Sequence, residues 1–237
     1  MEIIQKESFM LNAAEIVAEA TAIRNDLKER LDFPPNPIDD SLLPVPPYWP
    51  ANKSIKVILV GQDPTIRNRM QRSKMKCTLN LDRHGPLKSY VNIIMRGLGV
   101  SEDQIYATNL FKYFYTAPPA VTIDVLEKHL LPNMELLKKE LQLFPEAIVI
   151  ILGQPILRLI AHESHKSSSK MTKFWDYNSV EKASKGNFSF LSCNDNYLER
   201  DIFPLPHQPS ITKAFYKNTL NAYLAFIRQS MRTTAAE

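Results

Sequence analysis

Three residues of this chain have the types and settings to do chemistry together. Asp63 lies in Gly61-Gln62-Asp63-Pro64, Asn109 in Ala107-Thr108-Asn109-Leu110-Phe111-Lys112, and His207 in Pro206-His207-Gln208-Pro209-Ser210-Ile211. A carboxylate can position or deprotonate a water. A carboxamide accepts and donates at once, which suits reading the edge of a base. An imidazole can stabilise a developing negative charge. Singly, each has a plainer reading: a turn or cap aspartate, a strand-end asparagine satisfying backbone groups, a structural loop histidine.

The elements around them bring the three together. Lys56-Val57-Ile58-Leu59-Val60 is an apolar, largely β-branched run that stops at Gly61. It predicts a buried parallel strand delivering Asp63 to the carboxyl edge of a sheet, where open α/β sheets hold their ligands. The punctuation recurs where Ile148-Val149-Ile150-Ile151-Leu152 meets Gly153-Gln154-Pro155. Strands are predicted over 55–60, 104–110, 147–152 and 188–193. Helices are predicted over 12–31, 87–98, 122–143, 155–162 and 213–228, with Pro34 closing the first and Pro132 kinking or dividing the third. Strands alternating with helices predict a three-layer α/β/α sandwich around a four-stranded, mostly parallel sheet. Residues 1–50 read as a helix and a proline-rich covering segment packed through Tyr48 and Trp49, and 51–230 as the α/β core of a single domain. Residues 163–187, rich in Ser and Lys, read as a mobile surface excursion. Residues 200–211 read as a loop.

Composition narrows the class. The chain has 237 residues, 44% hydrophobic and 23% charged, with a net charge of +4. That suits a folded domain and allows a nucleic-acid partner without requiring one. Two cysteines, Cys77 and Cys193, form neither a disulfide framework nor a four-ligand metal or iron–sulfur site, and are expected reduced and buried. His84, His129, His162 and His165 show no metal-ligand spacing. There is no membrane-spanning stretch, signal region, P-loop, dinucleotide fingerprint or nucleophile elbow. The expectation is a cytoplasmic monomer without metal or organic cofactor.

Taken in order, the motifs resemble those of the uracil-DNA glycosylase superfamily. Gly61-Gln62-Asp63-Pro64 matches its Gly-Gln-Asp-Pro water-activating motif. Thr108-Asn109-Leu110-Phe111-Lys112 is similar to the segment whose Asn reads uracil. Leu152-Gly153-Gln154-Pro155 is similar to the third-strand turn, and His207-Gln208-Pro209-Ser210 to the His-Pro-Ser loop that enters the minor groove. The resemblance covers about 50–228. It implies excision of a base flipped out of DNA. Asp63 would orient the attacking water, and His207 would stabilise the departing base. Gln62, Thr65, Thr78 and Asn109 would line the base pocket. Arg67, Arg69, Gln154, Ser210 and Lys213 would meet DNA, with Ile211 as the wedge filling the emptied stack.

The chain departs from that pattern in its pocket. Thr65 stands where the family has an aromatic gate against 5-methyl groups. Cys77-Thr78-Leu79-Asn80 stands where a stacking aromatic is expected, and Gln208 is an insertion. Loss of bulk predicts room for a larger or hypermodified pyrimidine of foreign DNA. Two other readings are a non-catalytic DNA-binding protein on the same fold, and a small-molecule α/β hydrolase, which lacks a nucleophile motif here.

Overall fold

The computed structural model describes residues 11–30, 37–50, 54–119 and 123–234. Its strands are β1 (Ile38–Asp39), β2 (Val57–Gly61), β3 (Ile105–Asn109), β4 (Phe114–Tyr115), β5 (Ile148–Leu152), β6 (Tyr177–Asn178), β7 (Ala183–Ser184) and β8 (Ile202–Leu205). Its helices are α1 (Ala13–Glu29), α2 (Arg69–Arg72), α3 (Pro86–Leu98), α4 (Ile123–Gln142), α5 (Gln154–Ile160), α6 (Glu163–Lys166), α7 (Met171–Phe174) and α8 (Ala214–Thr234).

The four main strands form one sheet in the order β3-β2-β5-β8, every pairing parallel. Every residue of β2 is buried, as a strand covered on both faces requires. Helices α1, α4 and α5 pack among themselves, and α3 packs on α8, giving the three-layer sandwich. Register fixes the working edge. Gly61 pairs with Asn109, and Leu152 with Leu205, so the loops carrying Asp63, Asn109 and His207 leave the same end of the sheet.

Local sequence explains the helices. The Asn12 carboxamide accepts from the Ala14 and Glu15 amides while Glu15 accepts from the Asn12 amide, a reciprocal cap that starts α1. Ile16, Ala20 and Leu27 form its buried stripe. The helix ends at Glu29, with Arg30 extended, two residues short of the predicted Leu31; Pro34 lies outside the described residues. Helix α3 begins on Pro86 and ends at Gly99, whose φ of 72° is the left-handed cap. Within α3, a β-carbon on Gly97 would lie 2.9 Å from Leu224 Cβ, so glycine lets α3 and α8 approach.

Three expectations are corrected. The fourth sheet strand is Ile202–Leu205, not 188–193. Of the latter, Leu191 makes a single antiparallel bridge to Ile202. Pro204 fits because β8 pairs within the sheet on one side only, and a residue without an N–H is tolerated there. Second, α4 is one helix through Pro132 rather than two. Leu126, Met134 and Leu137 on its inner face are buried on both sides of the proline, and that packing outweighs the roughly 3 kcal/mol helix penalty. Third, the first half of 163–187 is a packed part of the fold, whereas 179–187, around the β6–β7 hairpin, is largely exposed at the surface as expected. Met171, Phe174 and Trp175 are buried, Trp175 stacks on Tyr223 at 4.5 Å, and its indole donates to the Pro204 carbonyl at 2.8 Å.

The covering segment packs as expected. Trp49 meets Tyr106 and Phe144 edge-on, and Tyr48 exchanges backbone hydrogen bonds with Ala107 of β3. Both cysteines are free; Cys77 is buried and Cys193 half-buried. No described helix is long and apolar enough to cross a membrane.

Beneath the working edge lies a buried ion pair. Lys112 and Glu140 are almost wholly inaccessible and pair with each other. The Tyr106 hydroxyl donates to Glu140, and the Lys112 ammonium donates to the Asn109 carbonyl at 2.9 Å. Removing one charge leaves the other buried and uncompensated. Lys112→Met is therefore expected to cost about 3–5 kcal/mol in denaturant unfolding. Adding Glu140→Gln, which still accepts from Tyr106, should recover most of that loss.

Candidate functional site

The centre of the site is the close approach of two strand ends. Asn109 is buried, and its carboxamide lies directly over Gly61. A β-carbon built on Gly61 would sit 2.4 Å from Asn109 Oδ1. Only glycine leaves space for that amide. The two chains stay paired beyond the strands: Leu110 N–H donates to Gly61 O at 2.8 Å, and Phe111 N–H to Gln62 O at 2.9 Å. Asp63 is thus fixed one residue beyond a backbone already tied to the Asn109 strand.

Asp63 has both carboxylate oxygens engaged. Oδ1 accepts from Gln62 Nε2 at 2.9 Å, and Oδ2 from the Thr65 amide at 2.9 Å. Burial pushes its pKa above the ordinary carboxylate value, while the bonds from Thr65 and Gln62 and the positive charge of Arg72 pull it back. A carboxylate held this way is a stronger base than a free one and has a fixed orientation.

Arg72, which no motif singles out, is the hub behind Asp63. It is buried and donates to Ile66 O at 3.0 Å, Asp39 Oδ2 at 2.9 Å and Tyr115 O at 2.7 Å. One side chain thereby ties the 63–76 loop to β1 and β4. Thr65 adds a second tie, its hydroxyl oxygen accepting from the Tyr115 amide at 2.8 Å. Below lies a polar aromatic layer. The Tyr115 hydroxyl meets His129 Nδ1 at 3.1 Å, and Asn133 donates to the Tyr113 hydroxyl at 3.0 Å. Burial chiefly, with the Asp63 charge contributing, keeps both tyrosines protonated.

Leu79 is the other residue that sequence reasoning passed over. Its Cδ2 would come 3.2 Å from a β-carbon on Gly61, so it lies against the Gly61–Asn109 junction. It reaches there from a left-handed backbone: φ is 59° at Leu79 and 51° at Asn80. Such conformations cost about 1–3 kcal/mol each in non-glycine residues. Thr78 faces elsewhere. It is fully buried, and both its amide and its hydroxyl donate to Pro46 O.

His207 stands beside the third strand end. Gly153, at φ 117°, would place a β-carbon 3.6 Å from His207 Cβ. The Tyr90 hydroxyl holds the loop by donating to Pro206 O at 3.0 Å. His207 itself is exposed, yet loss of water to the surrounding walls lowers its pKa and favours the neutral ring. The Gln154 amide is committed, donating to Ser169 O and accepting from Met171 N, both at 2.6 Å. Arg67, Arg69 and Lys213 are exposed around this edge, Arg69 also donating to Thr116 O at 3.1 Å. Ser210 is half-buried, and Ile211 packs partly against the core. No group of His, Cys, Asp and Glu among the described residues could hold a metal ion.

A family model described as the uracil DNA glycosylase superfamily matches residues 50–229, well over half of the chain. No curated protein matches it.

Two outcomes follow from the geometry. Gly61→Ala should displace the Asn109 amide by about 1 Å and reduce turnover roughly 10²-fold in a protein that still folds. For the ionisation of Asp63, the two partners of one ion pair should act in opposite directions. An Asp63-dependent rate is present above the Asp63 pKa and lost as pH falls through it. Arg72→Met removes a stabilising cation and should move that acid limb up. Asp39→Asn removes the counter-charge on Arg72 and should move it down. A pH–rate profile of each variant distinguishes this from simple loosening of the loop, which would not shift the limb in opposite directions.

Proposed function

The chain belongs to the uracil-DNA glycosylase superfamily, and on that premise we propose that it hydrolyses the N-glycosidic bond of uracil or a modified pyrimidine in DNA, leaving an abasic site. The observation carrying this reading is the Asp63 carboxylate, oriented by Gln62 and the Thr65 amide, two residues beyond the close approach of Gly61 to the Asn109 carboxamide. A base in a duplex is unreachable, so the target nucleotide is flipped into the pocket. Asn109 reads its hydrogen-bonding edge. Asp63 orients a water toward the sugar and stabilises the positive charge that develops as the bond opens. His207, kept neutral, donates a hydrogen bond to the departing base as it gains negative charge. Monofunctional hydrolysis is consistent with these parts, because the attacking group is water.

A second reading is specific for a bulkier, hypermodified base of foreign DNA. It is favoured by Thr65, whose oxygen is turned to the Tyr115 amide, and by Leu79, which meets the Asn109 junction with an aliphatic side chain. An aliphatic wall discriminates weakly among substituents, since each methylene is worth only about 1–3 kcal/mol.

Duplexes carrying a single uracil or a single bulky 5-substituted pyrimidine separate the two readings, with abasic sites cut by alkali. Release of uracil alone supports a uracil enzyme; release of the bulky base alone supports the second reading. Asp63→Asn should abolish release of whichever base is excised while DNA affinity persists. It should also raise stability at neutral pH. The folded-state pKa of Asp63 is raised, so its ionised form is disfavoured in the fold. That penalty is absent below the ordinary carboxylate pKa and present once pH exceeds the raised value. The melting temperatures of variant and parent should therefore converge in acid.

A further inference from the structure

The β6–β7 hairpin and the residues after it form a groove with the first turns of α8. The groove has a volume of about 360 Å³ and is lined by Lys182, Lys185, Phe188, Phe215, Asn218 and Thr219 together with small residues. Its root is rigid. Tyr177 packs edge-on against Phe215 at 4.5 Å, and Phe215 against Trp175 at 6.2 Å. Trp175 is pinned to Pro204 at the end of β8. The groove therefore starts two residues beyond Lys213, where the loop carrying His207, Ser210 and Ile211 ends.

Its charge distinguishes it from the other described clefts. None of its ten lining residues is acidic. One other cleft carries Glu127, Glu135 and Glu163 against Lys138 and Lys166, and another carries Glu146, Glu199 and Asp201 against Arg200, so carboxylates outnumber cations in both. A third is largely apolar, with Arg72 already paired to Asp39. Lys182, Lys185 and neighbouring Lys217 are exposed, and among the described residues none has a carboxylate within ion-pair distance. Lysines on a wall with aromatic and amide side chains are the composition that tracks a nucleic-acid backbone without reading its sequence.

We propose that this groove binds the DNA backbone flanking the target nucleotide, with Lys182 and Lys185 contacting phosphates beyond the reach of the His207–Lys213 loop. The inference rests on the reading of DNA as substrate. It assigns the lysine-rich excursion a second contact area, outside the base pocket, that supplies affinity rather than chemistry.

The test is equilibrium binding of a labelled duplex with one abasic-site analogue at its centre, measured over a range of salt. The expected result for Lys182→Ala/Lys185→Ala is a several-fold loss of affinity. The slope of log K against log salt should fall by about 1.8 for two duplex phosphate contacts, or about 1.4 if the strand is single. Lys56→Ala, an exposed lysine next to β2 at the opposite edge of the sheet, should leave both unchanged. Shortening the duplex on one flank should erase the difference between parent and double variant. Both lysines are exposed, so the melting temperature should not move. Equal affinity and slope in parent and double variant, with the parent binding in a salt-dependent way, overturns the groove and leaves the glycosylase reading intact. A parent that shows no salt-dependent DNA binding overturns both.

Discussion

A carboxylate partly withdrawn from water is the constraint around which this structure is arranged. Burial of Asp63 opposes its ionisation, and the role proposed for it as a base would require that ionisation. The compensation comes in layers. Gln62 and the Thr65 amide fill its oxygens. Arg72 supplies a positive charge, and Asp39 balances that charge in turn. Asp39 belongs to the segment preceding the sheet, paired with Phe114 in β4. The proline-rich covering segment is therefore an electrostatic part of the site as well as a lid over the core.

A second constraint is steric. The Asn109 amide occupies the space that any side chain at position 61 would need. Parallel register puts the two residues opposite each other, and the Lys112 ammonium holds the Asn109 carbonyl from below. The charge on Lys112 is tolerated because Glu140 pairs with it, and Tyr106 completes the carboxylate. The amide that would read a base thus depends on a helix residue thirty-one positions further along the chain. Leu79 and Asn80 show the same priority of position over local comfort: both are left-handed without being glycine.

The sheet's inner strands were legible because buried parallel strands write themselves as apolar, β-branched runs ended by glycine, as at Val60-Gly61 and Leu152-Gly153. The fourth was not. Phe188-Ser189-Phe190-Leu191 has strand composition, whereas Ile202-Phe203-Pro204-Leu205 contains a residue that ordinarily argues against one. Only the position of β8 in the sheet resolves that. The excursion misled through its Ser and Lys content, because burial there depends on Met171, Phe174 and Trp175 meeting distant partners. In the site, Asp63, Asn109 and His207 could be read from motif and spacing. Arg72 could not, since its role is set by carbonyls and a carboxylate from three separate segments. The hydroxyl of Thr78 and the amide of Gln154 have chemically versatile groups, and sequence cannot reveal that neighbouring backbone already occupies them.

Both outer strands of the main sheet carry a blunted margin. On β3, Tyr48 takes both hydrogen bonds of Ala107. On β8, Leu191 does the same at Ile202, and Pro204 offers no donor. An incoming strand from another molecule finds no uninterrupted row of amides and carbonyls on either side. The sheet is finished at four strands, and a β-rich core this apolar is shielded from the edge-to-edge growth that turns exposed strands into templates for aggregation.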